Sequence, residues 1–162
     1  MANPVHHCKT RFDESDHEAI DYLQQCGEHP ELLELLTTKE LGFLGEALAQ
    51  SFLQDRGWDV LERNYRCREG EADLVAYDPD REEVVLVEVK TRRAHGSVCD
   101  LYPEEAVTRL KLLKYSRIAS CYAMEHRELA SLRFDVIAIT LLSGMAAQVE
   151  YIADAFEWDA RS

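Results

Sequence analysis

Uninterrupted apolar runs in this sequence reach only four residues, as in Val84–Val87, far short of the roughly 20 that a membrane-spanning helix needs. The N-terminus, Met-Ala-Asn-Pro-Val-His-His-Cys-Lys, has no apolar stretch behind a basic start. A secretory signal is therefore not expected, and the expectation is a soluble, cytoplasmic protein. The five cysteines are odd in number, widely spaced and without a Cys-x-x-Cys pair, which argues against a disulfide framework. His6, His7 and Cys8 are adjacent and make a poor tetrahedral zinc set. The seven glycines form no phosphate-cradling loop, and no nucleophile-elbow serine occurs, so neither a P-loop nor a serine-hydrolase mechanism is expected. Positive charge is also scarce. Eighteen Lys and Arg stand against 31 Asp and Glu, for a net charge of −13, and such a balance repels a polyanion.

What is present is enough apolar material for one folded domain, 46% of 162 residues. Charge is uneven. Residues 1–38 carry two basic and eight acidic side chains, and the remainder carries 16 and 23. Residues 1–14 read as a tail. Ser15 and Glu18 have capping-box spacing for a short helix to Cys26, and Leu32, Leu33, Leu35 and Leu36 suggest a second. We therefore separate an N-terminal extension, 1–38, from a main domain, 39–162. The apolar residues of the extension can pack on that domain or on a partner, and the first is commoner.

Thr37 and Glu40 form another capping box, which predicts a helix through Arg56 with Leu41, Leu44, Leu48 and Phe52 on one face and Gly57 as its stop. Gly42, Gly45 and Ala47 would let that helix approach a sheet closely. The pattern then changes to strands at Trp58–Tyr65, Glu71–Tyr77 and Val84–Lys90, with turns at Arg66–Gly70 and Asp78–Asp80. The apolar start of the third strand marks it as central and covered on both faces. A loop with Gly96 and Pro103 leads to a helix from Glu104 to about Glu125. Leu132–Leu141 is a β-branched strand, and Val149–Ile152 a short final one. The order α-β-β-β-α-β predicts an α/β domain, a mixed sheet with a helix on each face.

Alternation puts Glu71, Asp73, Val75 and Tyr77 on one face of the second strand, and Val84, Leu86, Glu88 and Lys90 on one face of the third. If these strands pair, Asp73, Glu88 and Lys90 converge. A buried carboxylate without a partner is costly, and a divalent cation between Asp73 and Glu88 would remove the cost. Hard ions such as magnesium take carboxylate, phosphate and water oxygens, polarise a phosphoryl oxygen and acidify bound water. Lys90 would position the water or stabilise developing charge. A plain salt bridge is the competing reading, since Glu-x-Lys is common by chance. Glu46 raises the odds for a site, because its face of the first long helix also holds Phe43, Ala49 and Leu53.

Taken together, Gly45-Glu46-Ala47, Asn64-Tyr65-Arg66, Gly70-Glu71-Ala72-Asp73-Leu74-Val75, Val87-Glu88-Val89-Lys90-Thr91-Arg92 and Arg133-Phe134-Asp135-Val136 resemble the YraN family, over about Leu41 to Phe156. That family is related to the PD-(D/E)xK nuclease superfamily, which includes Holliday-junction resolvases. The resemblance implies a restriction-endonuclease-like fold. It also implies a Mg2+- or Mn2+-dependent endonuclease acting on DNA, with branched DNA a candidate substrate. Glu46, Asp73 and Glu88 would match the metal-binding acids and Lys90 the catalytic lysine, with Lys111 at a shared lysine position. Ala72 stands where the superfamily name has proline. Resolvase-like folds often dimerise, so a homodimer is a further expectation. Arg66, Arg92 and Lys111 are the candidate phosphate contacts, and Tyr65, Tyr102 and Tyr115 are candidates to stack on bases. The alternative is a non-catalytic nucleic-acid- or partner-binding protein that keeps the fold.

Overall fold

A computed structural model describes residues 16–94, 109–129, 131–142 and 147–156. The order of elements is α1 (Asp16–Glu28), α2 (Glu31–Glu34), α3 (Thr38–Asp55), β1 (Asp59–Cys67), β2 (Gly70–Asp78), β3 (Glu83–Arg93), α4 (Arg109–Glu125), β4 (Leu132–Leu141) and β5 (Ala147–Phe156). The strands form one mixed sheet in the order β1-β2-β3-β4-β5. Only β3 and β4 run parallel, with Glu88 beside Val136, and α4 lies in the crossover between them. The other neighbours are antiparallel. β3 is the middle strand, as its unbroken apolar start predicts.

The two faces of the sheet bury separate clusters. Leu74, Ala76, Val85, Val87, Ile137 and Ile139 pack with Leu44 and Leu53 of α3. Val75, Val84, Leu86 and Phe134 pack with Tyr115, Ile118 and Tyr122 of α4. The result is a helix on each face of a five-stranded mixed sheet, an arrangement consistent with a nuclease-like fold.

Helix α3 begins at its predicted cap. The Thr37 backbone N–H donates to Glu40 Oε2 at 2.8 Å, and the Glu40 N–H donates to Thr37 Oγ1 at 3.2 Å. Gly57, at φ 81°, ends it. Burial differs from the predicted stripe. Leu44, Gly45, Ala47, Ala49 and Leu53 are buried, whereas Leu41, Leu48 and Phe52 are only half-buried. The small residues meet the sheet, with Gly45 against Thr91 of β3, and the extension adds to the same core. Ala19, Tyr22 and Cys26 of α1, with Leu33 and Leu36, join the same core. The Arg93 guanidinium donates to the Leu36 carbonyl, and Tyr22 donates to the Leu32 carbonyl at 2.9 Å. Helix α3 is thus enclosed between the sheet and α1.

Several sequence boundaries shift. The first hairpin is tighter than the five-residue turn expected, because Cys67 pairs with Gly70 directly. β5 is longer than Val149–Ile152. The Ser15 cap, His6–Cys8, the loop with Gly96 and Pro103, and the Glu104 helix start lie outside the described residues. Cys26, Cys67 and Cys121 take part in no disulfide. Among the described residues, no helix is long and apolar enough to cross a membrane.

Gly45 is where the helix meets the sheet. A Cβ there would lie 1.6 Å from Thr91 Oγ1 and 2.7 Å from Thr91 Cβ. Gly42 has no such neighbour, so of the two glycines only Gly45 serves close approach. Gly45→Ala is expected to push α3 off β3 at a cost of about 1–3 kcal/mol or more, read as a lowered Tm. An unchanged Tm would show that α3 sits farther from Thr91 than described.

Candidate active site at the β2–β3 fork

β2 and β3 are hydrogen-bonded from Asp78/Glu83 to Leu74/Val87, where the regular ladder stops. Beyond that point the Val89 backbone N–H donates to Asp73 Oδ2 at 2.6 Å. The Asp73 side chain thus satisfies a donor that a strand carbonyl would otherwise take. The expected alternation also breaks here. Ala72 and Val75 both join the α4 cluster, whereas Leu74 and Ala76 join the α3 cluster. The expectation that Glu71, Asp73, Val75 and Tyr77 share a regular face is therefore corrected. The partner strand shows the cause. Asn64 lies between the paired residues Arg63↔Leu74 and Tyr65↔Ala72 and has φ 53°. Asparagine tolerates this left-handed conformation better than most residues.

Glu88 and Lys90 follow on β3. Glu88 lies on the α4 side, after Val84 and Leu86. Its side chain is 13% exposed, and that of Lys90 is 47% exposed. The Lys90 ammonium donates to Glu88 Oε1. Glu46 approaches from α3. Arg63 NH2 lies 3.9 Å from its Oε2, and the Arg63 guanidinium sits 5.7 Å from the centre of the Phe43 ring. The charges act on one another at the fork. Burial pushes the Asp73 carboxyl up to about 7, and the charge of Glu88 and then that of Glu46 add to the rise. The Val89 N–H and Lys90 oppose it.

Asp73, Glu88 and Lys90 are thus brought together, with Glu46 in electrostatic reach. Among the described residues, no three or more His, Cys, Asp or Glu side chains are grouped so that they could hold a metal ion. Two carboxylates within electrostatic reach of each other, Asp73 and Glu88, are of the kind a hard cation takes, because magnesium commonly takes one or two carboxylates and fills its remaining positions with water and phosphate. The raised Asp73 carboxyl fits this reading, since a cation would offset the repulsion from Glu88.

The candidate phosphate contacts are dispersed. Arg66 is exposed at the hairpin and pairs with Glu71 at 3.3 Å. Arg66, Gly70, Glu71 and Lys114 line an open depression of about 430 Å³. Arg92 is half-buried on β3, two residues past Lys90. Lys111 lies in α4, and its side chain is outside the described residues. The tyrosines correct an expectation. Tyr65 is buried edge-on against Tyr122 and donates to Glu125 Oε2 at 3.0 Å. Tyr115 is buried and stacked on Phe134 at 4.3 Å. Neither is available to stack on a base, and Tyr102 lies outside the described residues. Tyr115 instead hydrogen-bonds Glu88, and burial followed by the Glu88 charge raises its hydroxyl above the ordinary tyrosine range. Sequence reading did not assign this contact. The only signal for it was a tyrosine among the apolar positions of the helix after β3.

The family model described as uncharacterised protein family UPF0102 matches residues 45–139, which contain Glu46, Asp73, Glu88, Lys90 and Lys111. This chain belongs to family UPF0102. It is 44% identical to the UPF0102 protein of Geobacter metallireducens over 125 residues, 75% of this chain and 96% of the relative. The UPF0102 protein of Beutenbergia cavernae is 44% identical over 113 residues, 69% and 92% of the two chains. That of Bifidobacterium longum is 39% identical over 126 residues, 75% and 96%. The UPF0102 match leaves α1, α2 and β5 outside its span and includes the whole fork.

Proposed function

We propose that this UPF0102 protein is a Mg2+- or Mn2+-dependent endonuclease that hydrolyses phosphodiester bonds in DNA, with branched DNA among its substrates. One observation supports the reading. Asp73 accepts from the Val89 N–H where the β2–β3 ladder ends, within electrostatic reach of Glu88, and Lys90 pairs with the Glu88 carboxylate with about half its side chain in solvent. Asp73 and Glu88 are the residues that would hold the ion, with Glu46 of α3 adding negative charge nearby. When bound, such an ion polarises a phosphoryl oxygen and lowers the pKa of water. Lys90 stabilises the charge that develops on the phosphoryl group and orients the attacking water. The Val89 N–H holds the Asp73 carboxylate in place, and Arg63 does the same for Glu46. Arg66, Arg92, Lys111 and Lys114 are the candidate backbone contacts that bring DNA to the fork.

The experiment is cleavage of single-stranded, double-stranded, flap and four-way DNA with manganese, run beside Asp73→Ala and Glu88→Ala. Loss of an ion worth several kcal/mol lowers the rate by about 100-fold or more in both variants. Equal cleavage by the variants would mean that the activity belongs to a contaminant. The net charge of −13 favours a second reading, a binding protein without turnover. Salt-sensitive DNA binding that is indifferent to manganese and to Glu88→Ala would decide for it.

A further inference from the structure

The two groups that hold Glu88 differ in rigidity. Lys90 reaches it along the same strand, and its long side chain is half exposed, so solvent competes for the ammonium and the stem is free to rotate. Tyr115 comes from α4 on the opposite side of the core. Its ring is 5% exposed and lies 4.3 Å from the Phe134 ring at an interplanar angle of 27°. Phe134 pairs with Leu86 in the β3–β4 register, one turn of alternation before Glu88↔Val136. The phenol is therefore fixed by packing on the strand beside Glu88, and its hydroxyl donates to that carboxylate. A tyrosine has two side-chain torsions, and a stacked one has little freedom left in either.

We propose that Tyr115 is a positioning residue: its hydroxyl fixes the orientation of the Glu88 carboxylate, and so sets how tightly a divalent ion is held by Glu88 and Asp73. The proposal rests on the metal-dependent reading above and assigns one more residue to it. Outer groups that orient a metal-binding carboxylate typically change affinity 10–100-fold when removed. A merely structural tyrosine would act differently, because its hydroxyl would affect folding and leave the ion alone.

Tyr115→Phe separates these, since it keeps the ring on Phe134 and deletes one oxygen. Manganese is titrated calorimetrically into the full chain and the variant, and both are unfolded thermally in chelator. The expected result is a Kd for manganese about 10-fold weaker in the variant. The chelated variant should unfold within a few degrees of the parent. An unchanged Kd overturns the positioning role and leaves the nuclease reading standing, whether or not the melting temperature moves. Absence of manganese binding to the unmodified chain overturns both.

Discussion

Asp135→Ala is expected to destabilise the protein by roughly 3–5 kcal/mol, the cost typical of stripping one partner from a buried ion pair. Arg133 and Asp135 sit two residues apart on β4, a strand buried at every position. Arg133 Nε donates to Asp135 Oδ1 at 2.9 Å, while NH2 reaches Asp78 Oδ2 at 3.0 Å and NH1 reaches Glu83 Oε2 at 2.8 Å. Tyr151 donates to Asp135, and the Asp154 N–H donates to it at 2.9 Å. Trp58 covers the guanidinium at 5.5 Å. Burial alone would lower the Arg133 pKa, but the Asp135 carboxylate, with Asp78 adding, holds it above its ordinary value. The network joins β2, β3, β4 and β5. Without Asp135, Arg133 loses its most buried counter-charge, and the Tyr151 hydroxyl and Asp154 N–H lose an acceptor. Urea unfolding measures the effect. The double change Arg133→Met with Asp135→Leu should recover much of the loss, because no charge is left buried. A single variant as stable as the parent would show that the network contributes specificity rather than stability.

The second large effect has the opposite sign. Asp73→Asn is expected to stabilise the metal-free protein at pH 8. The Asp73 carboxyl is pushed from 3.8 to about 7 by burial and then by Glu88, so the folded chain binds its proton more tightly than the unfolded one. Stability from this group is full below about pH 4, declines as pH rises towards 7 and is absent above it. At pH 8 the parent therefore folds against an ionised Asp73 repelled by Glu88, at a cost on the order of 2–4 kcal/mol. The amide removes that cost and can still accept from Val89. Thermal unfolding in chelator should give equal melting temperatures near pH 4 and a higher one for the variant at pH 8. Manganese should reverse the order by stabilising the parent alone. A variant less stable than the parent at pH 8 would mean that the fork tolerates the charge unaided.

Much of this arrangement was legible before any coordinates. The capping box at Thr37, the stop at Gly57 and the central position of β3 follow from local chemistry and apolar runs. Pairing of the two strands predicts that Asp73, Glu88 and Lys90 converge; the ladder ends at Leu74↔Val87, and Asp73 meets β3 through its side chain on the Val89 N–H. Other features depend on distant contacts. The reversal at Asp73 depends on the left-handed Asn64 across the ladder, which no period-2 pattern contains. The role of Tyr115 depends on how α4 lies over β3 and β4. Arg133 and Asp135 were visible only as part of a family motif, because their partners come from three other strands. The buried face of α3 differs from the leucine stripe, because Gly45 meets Thr91 of β3 and Ala47 and Ala49 are buried with it, a close approach that apolar spacing alone does not show.

Helix α1 has a consequence beyond its own packing. Leu48 of α3 lies with Ile20, Leu23, Cys26 and Leu33 around one apolar cleft that also reaches Leu141. The cover and the surface beneath it are thus packed as one unit, and the apolar side chains of each shelter those of the other. Cutting this chain before Thr37 would open Leu48 and Leu141 to water, and the shortened protein is expected to lose solubility.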